Sequence, residues 1–281
     1  MDSQAFAADT HTGLRHHNNE DTCYADPEAG LWLIADGVGG QPDGEVASAI
    51  VRDTIAHCIA QNSTLEEAVC SSHEAILNAV AEGKGAAGMG STVVAALLRR
   101  HQLEVCWVGD SRAYLWDRAL TLLTADHNRV AELLAQQTID ATAARDHPER
   151  NVLTQALGVS PQVDLEPGLY RGELQPGQQL LLCSDGLSDE LPDSLIAHLL
   201  SQHATPRAQV DALISAALDA GGRDNISAVI VGSSANSDKG HQPHASARRS
   251  ASGGKPNDGK FPLRALLFTT ALVIAAVLWI T

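Results

Sequence analysis

Six apolar runs, many of them β-branched, recur along the chain: "LWLIAD", "STVVAALL", "LEVCWVGD", "RAYLW", "QLLLCSD" and "ISAVIV". Each is bounded by Gly, Asp, Asn or Pro, as buried strands are. Helical periodicity appears in pairs. "GEVASAIVRDTIAHCIAQ" is followed by "STLEEAVCSSHEAILNAVAEG", in which Leu65, Val69, Ile76 and Val80 share one face. Ser63–Glu66 and Thr64–Glu67 both fit a capping box at the start of the second helix. A second pair, "DELPDSLIAHLLSQ" and "PRAQVDALISAALDAG", comes late in the chain. Strands grouped between helix pairs predict an α+β layered domain with largely antiparallel sheets, not a doubly wound one. Residues 126–149 are polar with weak helical periodicity and are expected to form a flap.

The pattern changes after residue 233. Residues 234–262 are rich in Ser, Gly, Pro and Ala, show no hydrophobic period and predict a flexible basic linker. Residues 263–281 predict a transmembrane helix. Its uncharged part, "ALLFTTALVIAAVLWIT", would rise ~26 Å against ~30 Å of bilayer hydrocarbon, with Arg264 and Trp279 near its ends. Arg248, Arg249, Lys255 and Lys260 precede this segment, so the positive-inside rule places the folded part on the cytoplasmic side of the membrane.

Charge sharpens this division. Positions 234–281 hold six Lys/Arg against two Asp/Glu, a net of +4, which leaves 13 basic and 32 acidic residues, a net of −19, on positions 1–233. So acidic a domain repels a phosphate backbone, and no nucleic-acid partner is expected. Five cysteines, with no C-x-x-C pair, predict buried reduced thiols and neither a disulfide framework nor a zinc site.

The candidate chemistry lies where the apolar runs stop. Asp36 ends "LWLIAD", Asp110 ends "VCWVGD", Asp185 ends "LLLCSD", and Asp224 opens "NISAVIV"; each adjoins Gly or Asn. One such aspartate is ordinarily a turn residue or a helix cap. Four, brought together by one sandwich, could not all stay ionised without counter-charge. Oxygen-only donors suit Mg²⁺ or Mn²⁺ better than zinc. Flanking glycines such as Gly37 would let a backbone carbonyl join them.

"NNED", "ADGVGG", "GMGSTVV", "VGDSRAYL", "LTADH", "RNVLTQALG", "CSDGLSDEL" and "GGRDNISAVIV", taken in order, resemble the bacterial branch of the metal-dependent Ser/Thr phosphatases, the PPM or type 2C family. The resemblance runs from about Thr10 to Val231 and assigns the catalytic domain to residues 1–233. It implies a four-layer αββα sandwich of two antiparallel sheets flanked by helix pairs, with two Mg²⁺ or Mn²⁺ ions at one edge. On that pattern Asp36 bridges the ions, Gly37 lends its backbone oxygen, Asp185 and Asp224 complete the first metal, and Asp110 holds a third, weaker one. Glu20 and Asp21 hold metal-linked waters, and Asn225 orients another. The implied reaction is hydrolysis of phosphoserine and phosphothreonine in proteins by a metal-activated water, opposing a bacterial Ser/Thr kinase.

The chain departs from the family in two places: Gln41 of "GGQPDGE" stands where histidine is common, read as a surface variation, and the phosphate-contacting position differs. The arginine that meets substrate phosphate is expected four residues before Glu20; His16 stands there, with Arg15 one residue earlier. Either side chain is a candidate for the phosphate contact. The displacement also leaves a second reading, a membrane-tethered pseudophosphatase that binds phosphoproteins without turnover. Cys183 lacks the glycine-rich loop and arginine of a cysteine phosphatase and reads as a strand residue, and His127 and His147 read as structural or flap residues.

Overall fold

Strand β3 (Leu31–Val38) sets the layering of the molecule, because both of its faces are apolar. Leu31, Leu33 and Ala35 project into a cluster with α1 (Asp43–Ala60) and α2 (Leu65–Ala81), while Trp32 and Ile34 project the other way. Such a strand cannot face water on either side and must lie inside a stack. The computed structural model describes residues 5–40, 42–145 and 147–232. The linker expected over 234–262 and the membrane helix expected over 263–281 lie outside them. Among the described residues no helix is long and apolar enough to cross a membrane.

Two antiparallel sheets form the middle of the stack. One has the order β1 (Ala5–His11), β11 (Ile226–Gly232), β10 (Gln179–Cys183), β7 (Arg112–Trp116) and β8 (Leu120–Leu122). The other runs β2 (Asp21–Asp26), β3, β5 (Val93–Arg99), β6 (Gln102–Val108) and β9 (Gly168–Glu173), with the short β4 (Gly90–Ser91) paired to the end of β3. Trp32, Ile34, Val94, Val105, Leu182 and Val229 interdigitate between the sheets. The helix pair α1–α2 covers the second sheet. On the outer face of the first sheet lie α5 (Asp185–Ser188), α6 (Asp193–Gln202) and α7 (Pro206–Ala220). The expected four-layer αββα arrangement is present in the described residues.

Several local expectations change. The capping box of α2 is Thr64–Glu67, with both reciprocal hydrogen bonds made, so Ser63 lies outside it. Strand β3 does not end at Asp36, because the extended backbone of Gly37 and Val38 continues to pair, with Ser91 and Gly90. Strands β1, β2, β8 and β9 have no apolar run to announce them; each is short or lies at a sheet edge with polar residues interspersed. The polar stretch 126–149 contains α3 (Arg129–Ala135) and α4 (Ala141–Arg145). All five cysteines are free, but only Cys106 and Cys183 are buried; Cys23 and Cys58 are half-buried, and Cys70 is exposed, on the outer face of α2.

Candidate metal centre

Asp21 and Asp36 are direct partners in the β2–β3 ladder and so project on the same side, where opposed Cβ atoms lie ~5 Å apart. The first sheet supplies Asp185 and Asp224. Asp185 opens α5 just past β10, and Asp224 stands two residues before β11. Asp110 follows β6 and is buried. The sandwich thus gathers carboxylates from five separate stretches of sequence, including all four singled out there.

Electrostatics records the convergence. The Asp36 carboxyl is pushed well above the usual carboxylate range, first by burial and then by Asp21, Asp185, Asp110 and Asp224. Asp185 is raised in the same way, by burial and then by Asp110 and Asp224. Asp110 rises to about 7, through burial and the neighbouring Asp126. Asp21 rises to about 6: burial is the largest influence, partly offset by hydrogen bonds from Ser227 and Ser184. Two buried oxygens here, Asp21 Oδ1 and Asp185 Oδ1, have no hydrogen-bond partner. A buried acceptor without a donor is costly unless something else satisfies it.

These observations fit a pair of hard cations. Every donor is an oxygen, the like charges need compensation, and the two orphaned oxygens leave acceptor capacity open. Among the described residues no three of the side chains are already drawn together as ligands of one ion.

Gly37 and Gly44 have a steric role. A Cβ on Gly37 would strike the backbone of Gly44, and a Cβ on Gly44 would strike the Glu20 carboxylate. The glycines therefore let the first turn of α1 sit against β3 and Glu20, and the Gly37 amide donates to the Glu20 carbonyl at 3.2 Å. Asn225 is nearly buried and committed to backbone. Its Nδ2 donates to the carbonyls of Thr12 and Asn18, at 2.8 and 3.1 Å, and its Oδ1 accepts the Glu20 amide at 2.7 Å. It thus orders the loop that carries Glu20.

The same loop carries the two candidates for the phosphate contact, both exposed. His16 Nε2 lies 3.5 Å from Asp224 Oδ1, whereas Arg15 acts on Glu190, whose carboxyl is held low first by Arg223 and in smaller part by the charge of Arg15. Sequence reasoning did not find Asp126, which holds Arg112 through Nε at 2.9 Å and Nη2 at 2.7 Å beside Asp110. Nor did it find Asp189, which meets Arg150 at 3.3 Å. Both border a cleft of about 690 Å³ that leads from Asp110 and Asp185 toward α3. His127 is structural: its backbone N–H donates to the Gly109 carbonyl at 2.9 Å, and its ring lies against Trp107. His147 caps a loop by accepting the Glu149 amide. Burial raises the Cys183 thiol to about 12, so it is no nucleophile at neutral pH.

A two-sheet sandwich with helix pairs outside and a cluster of carboxylates between the sheets defines a class of α+β proteins suited to hold hard cations. Comparison with known proteins narrows the class. The family profile for protein phosphatase 2C matches residues 11–220, and the chain belongs to that family. It is 37% identical over 232 residues to the serine/threonine protein phosphatase PstP of Mycobacterium tuberculosis (strain ATCC 25618 / H37Rv), a match that covers 80% of this chain but 44% of PstP. It is 33% identical over 235 residues to the serine/threonine phosphatase stp of Listeria monocytogenes (strain ATCC BAA-679 / EGD-e), covering 78% of this chain and 91% of that protein. A crystal structure of the PstP catalytic domain in complex with two manganese ions superposes with a TM-score of 0.73 at 35% identity, over 82% of this chain and 97% of that one.

Proposed function

We propose that this chain is a metal-dependent protein phosphatase that hydrolyses phosphoserine and phosphothreonine at a binuclear Mg²⁺ or Mn²⁺ centre. The observation that carries the reading is the pair of unpartnered, buried carboxylate oxygens on Asp21 and Asp185, flanking Asp36. Asp36, the Gly37 carbonyl, Asp185 and Asp224 would hold the two core ions, and Asp110 a third. When bound, such cations lower the pKa of water and offset charge on the phosphoryl oxygens. The side chains do the rest. Asp21 presents Oδ1 as an open acceptor for a proton of the attacking water. Glu20, fixed through Asn225 and Gly44, takes a second water. Arg15 or His16 brings its donor to the substrate phosphate. The acidic cleft beyond Asp110 admits the peptide on either side of the phosphorylated residue. PstP and stp, both named serine/threonine phosphatases, support the substrate class.

The full chain should release phosphate from a phosphothreonine peptide in Mn²⁺ and stop in EDTA. A wild-type protein inert in Mn²⁺, and indistinguishable there from Asp36→Asn, would overturn the reading. The same assay separates it from a pseudophosphatase, which would bind the peptide without turnover; the retained aspartates weigh against that alternative. The physiological counterpart would be a bacterial Ser/Thr kinase, itself membrane-bound. Residues 263–281 would anchor the domain on the cytoplasmic face of the membrane, a reading supported by their charge-free apolar run and by the basic residues before it. Deletion of 263–281 should move the protein from the membrane to the soluble fraction.

A further inference from the structure

We propose that Ser184 and Ser227 are positioning residues of the metal centre, jointly clamping one oxygen of Asp21 and thereby setting the two sheets' carboxylates in register. The inference rests on the functional reading above and assigns a role to two side chains that make no direct contact with substrate. Ser184 Oγ donates to Asp21 Oδ2 at 2.7 Å, and Ser227 Oγ donates to the same oxygen at 2.6 Å. Both serines are completely buried, and Asp21 is 6% exposed. The two are also locked to each other. The Ser227 amide donates to Ser184 Oγ at 3.0 Å, and the Ser184 amide donates to the Ser227 carbonyl at 3.2 Å. Thr10 Oγ1 lies 2.8 Å from Ser227 Oγ and accepts from Asn19 Nδ2 at 2.7 Å, closing the network onto the loop before Glu20.

Three features point to positioning and not to packing alone. The clamp crosses from one sheet to the other: Asp21 begins β2, beside Asp36, whereas Ser184 and Ser227 belong to the segments that carry Asp185 and Asp224. A change in either serine therefore alters the spacing between the two halves of the centre. Second, both hydroxyls use Oδ2, and Oδ1 is left as the unpartnered oxygen. That selects which oxygen Asp21 offers to the site. Third, Ser184 occupies the N-cap position of α5 but makes no capping hydrogen bond; its hydroxyl is turned onto Asp21. A serine at an N-cap ordinarily caps, so this one gives up local helix stabilisation for a contact across the sandwich.

The test is manganese binding by calorimetry on the full chain, with kcat and KM measured beside it. Ser184→Ala and Ser227→Ala should each weaken manganese affinity by about 10–100-fold, the range for residues that orient metal ligands, and lower kcat with KM for the phosphopeptide nearly unchanged. Ser184→Thr, which retains the hydroxyl, should restore affinity to within about threefold. Ser72→Ala removes an equally buried hydroxyl inside α2, bonded only to the Ala68 carbonyl, and should leave manganese binding as in wild type. Wild-type affinity in both alanine variants would overturn the proposal, as would a Ser184→Thr variant no better than Ser184→Ala. The two serines give independent arms should one variant fail to fold. A wild-type chain that took up no manganese would instead sink the phosphatase reading, and this one with it.

Discussion

At its start, strand β10 pairs with a buried amide; just past its end stands a carboxylate with one buried oxygen. Gln179 and Gln209 exchange reciprocal amide hydrogen bonds at 2.8 and 2.9 Å, and Gln209 Nε2 also donates to the Leu200 carbonyl. Gln209, at 2% exposure, is as hidden as any charged group of the site, yet the protein satisfies it from within. Six residues further along the chain from Gln179, Asp185 leaves Oδ1 with no donor, and Asp21 does the same. The difference teaches how to tell a structural polar cluster from a functional one. Burial is common to both ends. Only one end retains acceptor capacity that no residue fills, together with like charges that no residue neutralises.

The comparison can be broken most severely at the carboxylate end. Asp36→Asn should reduce phosphopeptide hydrolysis by more than about 100-fold, beyond the range for residues that only orient ligands. It should nevertheless raise the thermal midpoint of the metal-free protein, because one of the repelling charges is gone. Melting in EDTA checks the second half, and an unchanged or lower midpoint would argue against a strained cluster. At the amide end the reverse holds. Gln209→Leu strands the Gln179 amide and the Leu200 carbonyl and should cost about 1–3 kcal/mol in urea titrations, with kcat unaltered.

The smallest effect is a slope with pH. Asp21 and Asp110 have folded pKa values of about 6 and about 7, above the ordinary carboxylate value of 3.8. A group raised in this way contributes its stability fully below its unfolded pKa and loses it as pH climbs through the folded value. The metal-free protein should therefore lose stability as pH rises between about 4 and 7. Manganese should cancel the slope and stabilise most above pH 7. Metal-free melting points that climbed over that interval would count against these shifts.

Much of this was legible in the chain, for identifiable reasons. Asp36, Asp110, Asp185 and Asp224 each interrupt an apolar pattern beside Gly or Asn, a local irregularity that sequence displays. Runs apolar on both faces, as in Leu31–Ala35, pointed to a layered α+β domain with antiparallel sheets, and the four-layer arrangement came from the family resemblance. The Ser184–Asp21–Ser227 clamp had no such signal. Its members are separated by 163 and 206 positions, and a lone serine in or beside a strand reads as unremarkable. Asp126 and Asp189 were missed because they lie in polar stretches, where another carboxylate alters no pattern. Asn225 was read as a water-orienting group, whereas its amide proves to be occupied with the backbone around Glu20, a contact set only by tertiary approach.

Crystals soaked in manganese and measured at its absorption edge test the central claim most directly. The account predicts two anomalous peaks bridged by Asp36, with Asp185 and Asp224 as further ligands and Asp21 Oδ1 turned toward the pair. Carboxylates left where they are, with no peak among them at saturating manganese, would contradict it.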